Sequence, residues 1–251
     1  MPQIIHLEHT HSTNTYMRNL VETYTMPKEG TVVRADYQSA GRGQKGNSWE
    51  SAPGVNLLFT LLLRPTQIAG AQQFVISQAV ALGVAEGLTM QLTPEEREQG
   101  VFSVKWPNDI YYGDRKIAGI LIENDLAGQT IHHSYVGIGI NINQLTFVSD
   151  APNPVSLTQI TGREHDLDSV LSDVLGAIFH NYVAACQEGS DAIRNAYFRN
   201  LYRREGLHAY RDADGLFDAR IIEVEPTGLL HLEKSCGERK AYWFKEVEFV
   251  I

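Results

Sequence analysis

Cysteine is scarce in this chain of 251 residues: only Cys186 and Cys236 occur, far apart and in no C-x-x-C pair. A disulfide framework and a thiolate zinc site are thereby excluded, and two reduced thiols are expected in a cytoplasmic protein. Positive charge is not in excess, since 21 Lys and Arg face 30 Asp and Glu for a formal net charge of -9. A nucleic acid as main partner would need clustered Lys and Arg to neutralise phosphates, so none is expected. No uninterrupted apolar run approaches the roughly 18 residues that span a bilayer, and no basic segment leads into an apolar core at the start, so no membrane partner is expected either. Also missing are G-x-S-x-G, G-x-x-x-x-G-K-[ST] and H-E-x-x-H, which removes the common nucleophile, Walker and zincin chemistries. The histidines at 6, 9 and 11 and at 132 and 133 have no companion cluster to complete a metal geometry.

What is present is the composition of a globular protein, with 43% hydrophobic and 20% charged residues. "GRGQKGNSW", residues 41–49, contains a G-x-G-x-x-G at Gly41, Gly43 and Gly46. In a dinucleotide-binding unit that spacing follows a strand and opens a helix, with an acidic residue about 20 positions later. Here the strand "TVVRADY" precedes it, but the apolar run "VNLLFTLLL", residues 55–63, follows it as a second strand, and Arg64 stands where the acid is needed. The segment is therefore a flexible glycine loop carrying Arg42 and Lys45 between two strands.

Ser12, Thr13 and Asn14 suit the start of a helix whose apolar face is Met17, Leu20, Val21 and Tyr24. Residues 71–88 are apolar on most sides and read as a buried helix, followed by a polar connection, "LTPEEREQG". "VFSVKW" reads as a strand, "DIYYGDRKIAGILIEN" as a hairpin turning at Gly113 and Asp114, and "SYVGIGININ" as a further strand. Leu167 to Tyr182 keep a 3.6-residue apolar period, and "DAIRNAYFRNLYRR" reads as another helix. From about Gly206 short apolar segments alternate with Gly, Asp and Pro turns, the texture of a small all-β domain.

Within "KWPNDIYYGDRKIAGIL" two lysines, an Asn-Asp pair and a glycine lie on and beside one hairpin. Lys116, in a strand between apolar residues, calls for an anionic partner, which a structural ion pair and a ligand satisfy equally well. In "VGIGININ", Gly137 and Gly139 share a strand face with Asn141 and Asn143. Such a face either makes room for a neighbouring helix or lets a ligand approach the backbone.

Taken together, "STN" at 12–14, "DYQSAGRGQKGNSW" at 36–49, "KWPND" at 105–109, "RKIAGILIE" at 115–123 and "GIGININ" at 137–143 closely resemble biotin protein ligases in order and spacing. The resemblance implies an α+β fold: a class II synthetase-like catalytic domain over residues 1–203, with a mixed sheet flanked by helices, and a small SH3-like β-barrel domain over 204–251. It implies that biotin and ATP, with Mg2+, form biotinyl-5'-AMP, and that a lysine of a biotin carboxyl carrier protein then takes the biotin. Lipoate or octanoate ligases and transferases of the same fold are the alternative. Biotin contacts are implied for Ser12, Thr13, Asn14, Gln38, Gly41, Arg42, Gly43, Gln44, Lys116 and Gly119. ATP or adenylate contacts are implied for Arg42, Trp49, Lys105, Asn108, Lys116 and Asn141. Arg42, Lys116 and Asp109 take the catalytic roles, and Asn108 with Asp109 the magnesium. Many of these ligases carry a second arginine at Gln44, a charge that Lys45 can replace. Several dimerise through the catalytic sheet, so a homodimer is implied as well. Ser12 lies too near the start to leave room for a DNA-binding domain, so the short, non-regulatory form is expected.

Overall fold

The computed structural model describes residues 2–23, 27–148, 153–187 and 190–251, apart from the side chain of Lys45. Tyr24, expected on the first helix face, lies outside them. Seven strands form the larger sheet: β1 (Ile4–Thr10), β2 (Val32–Gln38), β3 (Leu57–Leu63), β4 (Phe102–Lys105), β5 (Asp109–Tyr112), β6 (Arg115–Ala127) and β7 (Thr130–Ile140). Their order is β1-β2-β3-β7-β6-β5-β4, with β1 and β2 parallel and every other pair antiparallel. The expected mixed sheet is thus present.

β3 is buried at all seven positions because both its faces are covered, which is why it reads as an unbroken apolar run. Leu57, Phe59, Leu61 and Leu63 point into the main core together with α2 (Phe74–Met90) and α5 (Leu167–Gln187). Leu62 faces the opposite side, where Met17 of α1 (Thr13–Glu22) packs with Val33 and Tyr135. By length and composition alone the helical segment Gly70–Met90, which contains α2, and α5 could cross a membrane, but they bury much of that surface on each other and on the sheet. Their approach is unusually close: a Cβ on Gly83 would stand 2.5 Å from the Ile178 Cα, and one on Gly87 the same distance from the Val174 Cα.

Three elements are additional to those expected. β1 was not anticipated; it is an edge strand whose side chains are exposed or half-buried, so no apolar alternation marks it. The polar connection contains α3 (Pro94–Gln99), closed by a capping box in which the Thr93 hydroxyl accepts from Glu96 N at 3.3 Å and the Glu96 carboxylate accepts from Thr93 N at 2.8 Å. α4 (Leu157–Thr161) begins with the same device at Ser156 and Gln159. The β5–β6 hairpin turns at Gly113 and Asp114 as expected, with Gly113 at φ +55°.

The helix expected to run through Arg204 stops earlier, as α6 (Ser190–Arg199), because residues 200–202 instead close the free edge of β4: Val104 N donates to Asn200 O at 2.8 Å and Tyr202 N to Val104 O at 2.9 Å. The chain then forms a second, antiparallel sheet of β8 (His208–Asp212), β9 (Gly215–Val224), β10 (Leu230–Lys234), β11 (Arg239–Tyr242) and β12 (Glu248–Phe249), in the order β11-β10-β9-β8-β12. The two parts share one core, and the Trp106 indole donates to Gly228 O at 2.9 Å across the junction.

Candidate functional site

Side chains alternate across β7, so Ile138 and Ile140 enter the core while Gly137 and Gly139 face the other way. Gly139 is paired with Gly119 of β6, and Gly137 lies opposite Thr60 of β3. The sheet therefore presents a floor of bare backbone. A Cβ on Gly137 would stand 2.9 Å from Asn14 Cγ, and one on Gly139 would stand 2.5 Å from the Trp49 indole. Glycine is required here by the close approach of Asn14 and Trp49, not by backbone conformation. Above this floor is a cleft of about 760 Å³.

Ser12, Thr13, Asn14, Gln38, Arg42, Gly43, Gln44, Trp49, Lys105, Asn108, Asp109, Lys116, Gly119 and Asn141 all line the cleft. Gly41 sits behind it, accepting from Trp49 N at 3.0 Å. Asn143 departs from the expected shared face: β7 ends at Ile140, and the Asn143 carboxamide turns away to bond Thr158 and His165.

At one end, Gln38 Oε1 accepts from the Thr13 amide at 2.7 Å and from its hydroxyl at 3.1 Å. The Thr60 hydroxyl lies 2.6 Å from Asn14 Oδ1 and 2.9 Å from the Thr13 hydroxyl, while Asn14 Nδ2 donates to Leu121 O and to the Glu123 carboxylate. Ser12 caps α1 without a side-chain hydrogen bond, so its hydroxyl is not spent on the helix. Thr60→Val keeps the shape but leaves the buried Asn14 oxygen without this donor. It is expected to cost about 1–3 kcal/mol, read from urea unfolding, with Thr60→Ser restoring stability; an unchanged midpoint would show that Thr60 does not hold Asn14.

In the glycine loop, Gly43 N donates to Asn47 O at 2.6 Å around a single 3₁₀ turn at Gln44–Gly46. Arg42 reaches back to Glu123 at 3.3 Å and to the Thr15 hydroxyl at 3.5 Å. The contribution of Lys45 falls outside the described residues.

At the other end, the anionic partner called for by Lys116 is Asp109, at 2.7 Å. Lys105 and Asp109 are a cross-strand pair of β4 and β5, so one carboxylate stands among two ammonium groups. Burial lowers the Lys105 pKa, with Lys116 acting in the same direction and Asp109 against it. Asn108 donates to Ile120 O, which holds the bend between β4 and β5 against β6. Asn141 donates to Val155 O at 3.2 Å, yet its Oδ1 is buried without a partner, as is Nε1 of Trp49. Buried polar atoms are normally satisfied, and orphans lining a cleft point to a ligand.

Among the described residues no three His, Cys, Asp or Glu side chains converge to hold a metal. Asp109 gives one oxygen to Lys116, leaving a carboxylate and an amide that fit a Mg2+ ion bound mainly through phosphates and water, the usual mode for that ion.

Three contributors were not anticipated. Thr60 had a visible signal as the lone hydroxyl in an apolar strand. Glu123 ends the R-K-I-A-G-I-L-I-E segment, where it was given no role. Phe244, from the second sheet's side of the molecule, reaches the cleft wall, and nothing local in the sequence announces it.

Residues 7–141 match the model of the biotin/lipoate A/B protein ligase family. The biotin–acetyl-CoA-carboxylase ligase of Paracoccus denitrificans is 34% identical over 82% of this chain and 85% of that protein. The bifunctional ligase/repressor BirA of Bacillus subtilis is 29% identical over 85% of this chain, which spans 65% of that relative's length. Among solved structures, biotin protein ligase from Aquifex aeolicus in complex with biotin and ATP superposes with a TM-score of 0.78 at 25% identity, covering all of both chains.

Proposed function

Because the chain belongs to the biotin/lipoate A/B protein ligase family, we propose that it is an ATP-dependent biotin protein ligase of the cytoplasm, built from a catalytic domain over residues 1–203 and a small β domain over 204–251. The observation that carries this reading is the cleft itself. Polar groups converge at one end, two ammonium groups and one carboxylate stand at the other, and an orphaned acceptor on Asn141 lies in the same space.

The first step joins two anions. A biotin carboxylate oxygen attacks the α-phosphorus of ATP, the bond to pyrophosphate breaks, and biotinyl-5'-AMP results. No protein nucleophile is needed, so positioning and charge neutralisation dominate. Ser12, Thr13 and Gln38, with Asn14 beside them, hold the ureido head. Arg42, Gly43 and Gln44 line the carboxylate and α-phosphate, and Lys116 holds the oxygens on which charge develops. Trp49 stacks on adenine and Asn141 Oδ1 accepts from its exocyclic amine. Lys105 faces the phosphates, and Asn108 and Asp109 would hold a magnesium ion, which would supply further neutralisation of phosphate charge. In the second step a neutral lysine amine of a biotin carboxyl carrier protein, oriented by Asp109, attacks the acyl carbon. The bond to AMP breaks and an amide forms.

The test is pyrophosphate release with ATP and Mg2+ in the presence of biotin, lipoate, octanoate or no acid, followed by transfer to a biotin carboxyl carrier domain. Release is expected with biotin alone. Release driven by lipoate or octanoate but not by biotin would overturn the assignment.

A further inference from the structure

Lys105 and Lys116 differ in a way that the reaction alone does not explain. Lys116 is tied to a carboxylate at 2.7 Å, whereas among the described residues Lys105 has no carboxylate within ion-pair distance. The acids that act on it from nearby are Asp109, bonded to Lys116, and Glu248, paired with Arg211 at 2.9 Å. Its ammonium instead lies over two aromatic faces, Tyr111 at 5.4 Å and Phe249 at 4.9 Å from the ring centroids. Both distances are inside the range at which a ring face attracts a cation.

Phe249 belongs to the last strand of the second sheet. It is almost fully buried, packs edge-on against Tyr210 at 4.9 Å, and is flanked by Val250, whose carbonyl accepts from Arg203 at 2.7 Å and whose amide donates to Ala209 O at 3.1 Å. The ring is therefore fixed independently of Lys105. A carboxylate partner would orient Lys105 but also neutralise the charge that a polyphosphate needs. A ring face orients the cation and leaves its charge free.

We propose that Phe249 is a positioning residue for the nucleotide: through its ring face, the C-terminal β strand holds Lys105 charged and aimed into the cleft, so that the phosphate site is complete only with the second sheet in place. This rests on the reading of the cleft as an ATP site, and it assigns a role to residues 248–250 that the cleft lining does not include.

The test uses the full chain and steady-state kinetics for ATP and biotin separately. Phe249→Leu keeps the apolar bulk and loses the ring face. It is expected to lower kcat/KM for ATP about 5- to 30-fold, the size of a largely desolvated cation–π contact, while the biotin KM stays within about twofold. Phe249→Tyr should remain near the parent. In a Lys105→Met background, Phe249→Leu should add nothing, because the shared term is already gone. Should Phe249→Leu fold poorly, mono- and trifluorinated phenylalanine at position 249 preserve the shape while draining the ring face, and the ATP defect should grow with fluorination. An equal effect of Phe249→Leu with and without Lys105, or a flat fluorination series, overturns the positioning role alone. An ATP KM and kcat untouched by Lys105→Met would instead overturn the placement of Lys105 at the nucleotide.

Discussion

Lys116→Ala is expected to slow formation of biotinyl-5'-AMP by about 100- to 1,000-fold, the usual cost of removing one preorganised group from a site of developing charge, while biotin binding changes little. Lys116 stands 2.7 Å from Asp109 at the cationic end of the cleft, and the segment at 153–155 pins its backbone, since Lys116 N donates to Asn153 O at 2.8 Å and Lys116 O accepts from Val155 N at 2.9 Å. Its ammonium is thus in place before substrates arrive, and its charge matters most when carboxylate and phosphate oxygens are pressed together. Removing it has a second effect: the Asp109 carboxylate loses its ion-pair partner where two further anions must meet. Pyrophosphate release in a single turnover measures the step. If Lys116→Ala raised only the biotin KM and left kcat unchanged, its role would be uniform binding and the assignment would be wrong.

The second large effect concerns stability. Gly83→Leu is expected to destabilise the protein by about 3 kcal/mol, the upper part of the range for overpacking a filled interior. The obstacle is main chain: even the first carbon of the new side chain would stand 2.5 Å from the Ile178 Cα and 2.6 Å from its N. The two longest helices would have to separate, and with them the core beneath the cleft. Gly176 is the control. It lies inside α5, and a Cβ there would meet nothing within 4 Å, so Gly176→Ala should stabilise by about 1 kcal/mol through helix propensity alone. Thermal and urea unfolding of both variants read the two signs. A neutral Gly83→Leu would mean that α2 and α5 pack less closely than described.

The strand β3 and the helix α5 were legible because burial fixes their pattern: a strand covered on both faces is apolar throughout, and a helix covered on one keeps a 3.6-residue period. The strand β1 was not, because an exposed edge strand places no apolar demand on alternate residues. The helices α3 and α4 were legible in principle, since T-P-E-E and S-L-T-Q spell out their capping boxes, but each is too short to show a period. At the site, residues close in sequence such as Lys105, Asn108, Asp109 and Lys116 could be grouped because the consecutive strands β4, β5 and β6 carry them. Thr60, Glu123, Phe244 and Phe249 could not, because strand register and the packing of the second sheet bring them there. The glycine loop was separable from a dinucleotide fingerprint because the strand that follows it excludes the required helix.

The glycine pair at 119 and 139, with Gly137 beside it, has a consequence for any inhibitor directed at the cleft. A compound that rests on this floor touches main-chain atoms, which no substitution can delete. Resistance at these positions can arise only by adding a side chain, and the space it would fill is already taken by Asn14 or by the Trp49 ring. Escape would therefore displace groups that the enzyme's own substrates are proposed to need, so selection for survival works against the mutation that selection for resistance favours. Compounds that draw their affinity from the wall, at Gln44, Phe244 or Val148, have no such protection, since those side chains can change while the floor stays as it is.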